Sequence, residues 1–425
     1  MGLNIIVCVI HATAAFFWIN ALRNRVKGAP LAKFFLPALA YRVAMGWLLG
    51  YVFLVYYQQG DTINYFRDAR ELANVAYQQP EMYLRTLLGE ESLPPELVYA
   101  NQPRALFFVK LVSLVNIITY NDYWLSAAYL SFISFGSSWL LANYLSYQFP
   151  QQQTAAVIAF LFYPSVAFWG AGILKESVAV AAIMLITWIT WRILTKNFTT
   201  RGLIGLLLLL VSAIWLLWQV KYYYAGVLLP TLIAVGVAYV FVTSQRPVAA
   251  LLTFVGCFLL LISAGGFLHP RLQLPHLAQT LVDNHDTIVQ LSENEHIINF
   301  SDLKPSCKSL LSNLPRAIAS GLFRPLVGEV NTIFGWLVGI ENTLLLLLSV
   351  DAVVNSWKMR TNYINRLWIT AALTYIIILA GLLAFASPNF GSLMRYKVSY
   401  LPFLVFLSLA GSRFLSRKEK VNSER

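Results

Sequence analysis

Charge is scarce in this sequence: only 12% of its 425 residues are charged, where a soluble domain carries about a quarter. With 58% hydrophobic and 14% aromatic residues and a mean hydropathy of +0.63, that scarcity excludes an ordinary water-soluble enzyme. Cysteine is scarcer still. Cys8 and Cys257 fall inside apolar runs and Cys307 stands alone in a loop, so neither a disulfide scaffold nor a cysteine metal cluster is expected. No CxxC or HExxH spacing occurs, and His269, His276, His285 and His296 match no zinc signature, so no metal site is expected. There is no internal repeat and no low-complexity tract, and no cleavable leader is expected. Met1 to Leu22 lacks a basic start and runs straight into Arg23, Arg25, Lys27 and Lys33. The net charge of +12 does not point to nucleic acid, because the basic residues sit in short clusters beside apolar runs. That is the positive-inside pattern.

What the sequence has in abundance is long apolar segments. They fall at 3–21, 36–57, 105–120, 123–147, 154–172, 177–194, 202–219, 223–242, 248–266, 331–355, 364–386 and 398–415. The expected fold is all-α: one polytopic transmembrane domain over 1–425, with about 11–12 transmembrane segments. Two long hydrophilic loops, 58–104 and 267–330, are expected to carry short amphipathic helices, and 413–425 is a short basic tail. Arg23 to Lys33 place the first connection in the cytoplasm, which puts Asp61 outside. If all twelve segments crossed, Arg192, Lys196 and Arg201; Arg246; Lys358, Arg360 and Arg366; and Arg413, Arg417, Lys418 and Lys420 would all lie outside. One non-crossing segment between 105 and 172 brings them all inside. The choice falls on 105–120, which is short and contains Lys110, as a re-entrant or surface helix. Both long loops and the stretch from Ser387 to Tyr396 then share the outer face with Asp61.

Candidate chemistry gathers on that face. The 58–104 loop holds Asp61, Asp68, Glu71, Glu81, Glu90, Glu91 and Glu96 against Arg67, Arg70, Arg85 and Arg104. Asp61 and Asp68, seven residues apart, can share one helix face. Paired carboxylates there suit proton abstraction from a hydroxyl or the holding of a divalent cation. The structural alternatives are a helix cap at Asp61 and a solvated amphipathic helix with local ion pairs at Asp68 and Glu71. Lys175 and Glu176 occupy a short turn between two spans, where charge is costly unless it faces a polar cavity; a snorkelling lysine beside a carboxylate is the alternative. Lys221 precedes Tyr222, Tyr223 and Tyr224, an arrangement also found in interfacial aromatic belts. Arg324, Arg395 and Lys397 bring cations to the ends of later spans. Arginine and lysine converging from separate helix ends would make a phosphate site, and one cavity shared by Lys175, Arg324 and Arg395 is expected.

In layout, residues 36–200 resemble the GT-C class of membrane glycosyltransferases. The resemblance rests on Gly60-Asp61-Thr62 just after a span and on Asn101-Gln102-Pro103-Arg104 entering the next helix. Further along it rests on Phe162-Tyr163-Pro164-Ser165, then Lys175-Glu176, then Trp191-Arg192. Two features depart from the commonest pattern: an extra span precedes the acidic loop, and the loop offers one clear candidate aspartate, Asp61, where many members have an adjacent acidic pair. The resemblance implies sugar transfer from a polyprenyl-phosphate-linked donor to a glycan, lipid or protein acceptor at the extracytoplasmic face of a bacterial inner membrane. Membrane lipids are the remaining partner, and nucleic acid is not one. Catalysis would fall to Asp61, with Asp68 and Glu176 as further candidates, and phosphate binding to Lys175, Lys221, Arg324, Arg395 and Lys397. No resident metal is implied, and a divalent cation at the carboxylates stays open. The competing readings are an envelope polysaccharide polymerase or ligase resting on Arg324 and Arg395, and a transporter or flippase using mid-membrane residues such as Arg42 and Glu341-Asn342.

Overall fold

The structure is a computed structural model describing residues 2–90, 94, 96–241, 246–268, 273–292, 297–356 and 363–413. Glu91, His269, His296, Lys358, Arg360, Arg417, Lys418 and Lys420, and with them most of the basic tail, lie outside the described residues.

Apolar runs without water to satisfy their backbone must bond internally, and helices result. In chain order they are α1 (Gly2–Val26), α2 (Phe35–Tyr51), α3 (Asp61–Gln78), α4 (Pro80–Leu88), α5 (Pro103–Thr119), α6 (Tyr123–Gln148), α7 (Gln153–Val157), α8 (Pro164–Trp169) and α9 (Lys175–Thr195). There follow α10 (Thr200–Phe241), α11 (Pro247–Leu268), α12 (Leu274–Gln290), α13 (Cys307–Phe323), α14 (Ile333–Ser356), α15 (Tyr363–Ala386), α16 (Phe390–Tyr396) and α17 (Leu401–Gly411). Among the described residues the only extended pairing is one bridge between Ile297 and Asn389. Eight helices among the described residues are long and apolar enough to cross a membrane, and a ninth forms if the bent pair Phe390–Ser399 and Leu401–Gly411 counts as one span. The chain is a helical integral membrane protein.

Four of the expected apolar segments look different in three dimensions. Residues 202–219 and 223–242 merge in α10, whose 42 residues would reach about 63 Å, twice a bilayer's hydrocarbon thickness; non-helical backbone at Lys221 (φ −149°, ψ 72°) divides it. Residues 154–172 do not form one helix: a π-helical stretch, Ile158–Phe162, and extended backbone at Tyr163 separate α7 from α8. Pro164 is the cause, since it has no N–H to continue the ladder. Residues 105–120 form α5, whose 17 residues stand at the lower limit of span length.

The chain folds as two compact units, Met1–Trp188 with Ile204–Tyr222, and Ile189–Leu203 with Tyr223–Arg425. In the first, α2 and α6 run antiparallel. Phe35 packs edge-on against Phe135 and Trp139, while Trp47 at the other end donates to the Trp124 carbonyl at 2.9 Å. The elements between them gather at the end where α2 stops and α6 starts. There the Thr62 and Tyr123 hydroxyls lie 2.7 Å apart, those of Tyr83 and Ser113 lie 2.8 Å apart, and Tyr77 donates to the Asn116 and Ile117 carbonyls. α5 therefore begins and ends on one side of the unit. Lys110 donates to the Thr86 and Leu87 carbonyls at 2.8 and 3.0 Å, closing the C-terminus of α4 as a cation should; burial pushes its pKa below the ordinary lysine value.

In the second unit α14 and α17 run side by side, joined at Ser349–Ser408 (2.8 Å) and at Asn355, which donates to the Gly411 carbonyl. The amphipathic α13 lies on α15, and the Tyr400 hydroxyl donates to the Gly321 carbonyl at 2.6 Å. Trp191 and Trp368 stack with ring centres 4.1 Å apart.

Candidate functional site

The apolar run of α2 ends in a π-helical stretch, Val52–Tyr57, followed by Gln58 in the left-handed region (φ 53°). Gly60 then takes φ 132° at the N-cap of α3, a conformation closed to side chains. Asp61 is thus not the cap residue that the sequence alternative supposes. It is the first helical residue, where the positive end of the helix favours a carboxylate.

Asp61 is half-buried and accepts a hydrogen bond from the Tyr99 hydroxyl at 3.0 Å. Burial, and then the neighbouring Asp61 charge, push the Tyr99 phenol well above the ordinary tyrosine value, so it remains a donor. Seven residues on, Asp68 is 1% exposed and accepts from the backbone N–H of Tyr99 at 2.9 Å. The two carboxylates do share a face of α3, and both grip Tyr99. They differ in access: Asp61 is half-buried at the helix end, whereas Asp68 is sealed and holds the backbone at Tyr99. Arg70 pairs with Glu71 at 3.5 Å and Arg67 reaches Asn64, both on the exposed side.

Lys175 opens α9 and lies over the Tyr65 ring at 5.4 Å; Tyr65 in turn stacks on Tyr99 at 4.6 Å. Lys175, Tyr65, Tyr99 and Asp61 form one continuous line. Next to Lys175, Glu176 is 1% exposed and pairs with the Lys221 ammonium at 3.0 Å. Lys221 is no belt residue; it sits buried at the break in α10. Its neighbour Tyr222 carries the Arg104 guanidinium over its ring at 4.0 Å. Contacts thereby link Asp61 to Lys175 through Tyr99 and Tyr65, and Glu176 to Lys221, whose neighbour Tyr222 carries Arg104. Tyr99 had no distinguishing sequence signal, since it lies 38 positions from Asp61 in an irregular stretch. Arg104 was signalled by the Pro103 helix start beside it.

The other candidates lie in the second unit. Arg324 pairs with Glu329 at 2.7 Å and rests on Phe390 at 4.9 Å. Lys397, 1% exposed, donates to Asn342 Oδ1 at 3.1 Å and to the Arg324 carbonyl at 3.3 Å. Arg395 lies over the ring of Tyr396 and donates to its hydroxyl at 3.2 Å. Of the histidines, His285 contacts Asp286 at 3.1 Å, and among the described residues no three His, Cys, Asp or Glu side chains are placed to hold a metal ion.

Comparisons of the chain with protein-family models, with characterised proteins and with solved structures return no match. Chemistry must therefore be argued from the site. Its polar equipment is a half-buried carboxylate able to take a proton, and cations at Lys175 and Arg104 able to attract an anion.

Proposed function

We propose that the chain is an integral-membrane glycosyltransferase, moving a sugar from a polyprenyl-phosphate-linked donor to a glycan, lipid or protein acceptor at the outer face of a bacterial inner membrane. The observation that carries this reading is the run of contacts from Asp61 through Tyr99 and Tyr65 to Lys175 in the first unit. In the reaction, the acceptor oxygen forms a bond to the anomeric carbon as the bond from that carbon to the phosphate oxygen breaks. The acceptor's proton passes to Asp61, and polyprenyl phosphate departs with the bonding electrons. Asp61 serves as general base. Lys175 and Arg104 stabilise the charge that grows on the leaving phosphate. Phosphate leaves readily, so no general acid is needed. Glu176 holds Lys221 and supports the site rather than reacting; Asp68 holds the loop that carries Tyr99.

The topology supports the outer location. With α5 starting and ending on the α3 side, α3, α4 and α5 stay on one face. Arg23, Arg25, Lys27 and Lys33 lie at the opposite end of α2, which the positive-inside rule assigns to the cytoplasm.

The test is transfer of sugar from a polyprenyl-phosphate donor by purified protein. Asp61→Asn should fold normally and lose about 10²–10⁴-fold in rate, the usual cost of removing a general base. Near-parent activity in Asp61→Asn, with loss confined to Arg324 and Arg395 variants, would instead favour the polymerase or ligase reading.

A further inference from the structure

Arg42 lies in the middle of α2, an apolar helix, and is completely buried. Such a charge at mid-span normally marks an ion or substrate pathway. Its surroundings say otherwise. Pro164 lacks the N–H that would bond the carbonyl four residues back, and that carbonyl belongs to Phe160. Arg42 Nη2 donates to it at 2.9 Å. Arg42 Nη1 donates to the carbonyls of Val166 at 3.0 Å and Gly170 at 3.5 Å, which terminate α8. Ser138 receives a fourth bond at 3.5 Å, and Ser134 donates to the Gly170 carbonyl. No carboxylate among the described residues pairs with Arg42. The guanidinium is answered by carbonyl dipoles at a helix C-terminus, the same chemistry with which broken helices of transporters hold a sodium ion.

We infer that the break in the 154–172 span is a carbonyl cage for a single-charged cation, filled permanently by the chain's own guanidinium. The span is thereby a fixed strut and not an ion path. The strut has a purpose that its geometry makes plain. From Gly170 the chain runs through Gly172, whose N–H donates to Ser131 Oγ at 3.0 Å, directly into Lys175 and Glu176. Arg42, Ser131 and Ser134 set where that turn lies, and Arg42 is a positioning residue for it. Gly170 must be glycine for the cage to close, because a Cβ there would come within 2.8 Å of Arg42 Nη1 and still nearer the Val166 carbonyl. This inference holds whichever reaction the chain performs.

The experiment uses the purified full chain and needs no activity assay. Arg42→Ala should melt at least about 5 °C below the parent, as expected for several charge-assisted bonds lost from a buried site. Millimolar guanidinium should restore much of that loss saturably, and tetramethylammonium at equal ionic strength should restore none. A parent-like melting temperature, or equal responses to the two cations, overturns the inference. Should Arg42→Ala fail to accumulate, Arg42→Lys keeps the charge but not the planar fork. In that variant amide exchange over residues 166–174 should rise about tenfold or more while α3 is unchanged; unchanged exchange over 166–174 overturns the cage.

Discussion

In the first unit Lys175 and Arg104 rest on the faces of Tyr65 and Tyr222, whereas in the second Arg324 and Lys397 are taken up by Glu329, by Asn342 and by the Arg324 carbonyl. An arginine met by a carboxylate has its field cancelled close by. An aromatic face attracts a cation through its ring quadrupole and holds it in place. The two clusters look alike in sequence, each a cation or two near a helix end. Under the proposed function the first cluster would meet an anion beside Asp61, while the cations of the second are held by groups of their own unit. Glu176–Lys221 within the first unit follows the second unit's pattern, so burial of partners, and not residue type, separates the two roles.

The sharpest test of this contrast compares Asp61→Asn with Arg324→Ala in the same transfer assay. The first should lose about 10²–10⁴-fold; the second, half-buried and tied to its own carboxylate, should keep its rate within about threefold while losing up to about 1 kcal/mol of stability. Equal losses would erase the distinction. Next in size is Glu176→Gln, which leaves the Lys221 ammonium buried without its counter-charge and should cost about 3–5 kcal/mol in unfolding measurements. The double variant Glu176→Gln, Lys221→Met should recover part of that cost, and a double variant no better than the single would remove the pair from the account. Smaller still is Lys397→Met. It strands the Asn342 and Arg324 acceptors at about 1–3 kcal/mol, with transfer per folded molecule unchanged.

The smallest expected effect concerns pH. Burial and Asp61 raise the Tyr99 pKa in the folded protein, so the folded state holds that proton more tightly than the unfolded chain. The associated stability is complete below the ordinary tyrosine value of about 10 and declines as pH climbs from there through the raised value. Tyr99→Phe should cost about 1 kcal/mol near neutral pH and should flatten the fall of melting temperature above about pH 10. An unchanged alkaline slope would show that the Tyr99–Asp61 bond contributes nothing.

Much of the architecture is legible along the chain. Apolar runs from Ile6 to Val26 and from Tyr123 to Gln148 are too long for the strands of a membrane barrel, which leaves the helix to satisfy their backbone. The seven-residue step from Asp61 to Asp68 places both on one face for the same local reason. Lys221 between two apolar runs likewise marks the break in α10. The resemblance in the Phe162–Ser165 stretch drew attention to Pro164, but Arg42 as the residue that answers its break was invisible, since 118 positions separate Arg42 from Phe160.

By itself, then, the order of residues determined that the chain is helical, that it is a membrane protein, and which charged residues stand at the ends of its spans. Periodicity and hydropathy are properties of neighbours in sequence, and they suffice for that. Only the tertiary structure decided that Asp61 and Asp68 both close on Tyr99, that Glu176 belongs to Lys221, that Lys397 is sealed while Lys175 is not, and that Arg42 fills a cage of carbonyls. Each of these depends on the packing of helices far apart in the chain. Whether a charge is neutralised is set by the groups around it in space, and no local pattern records them.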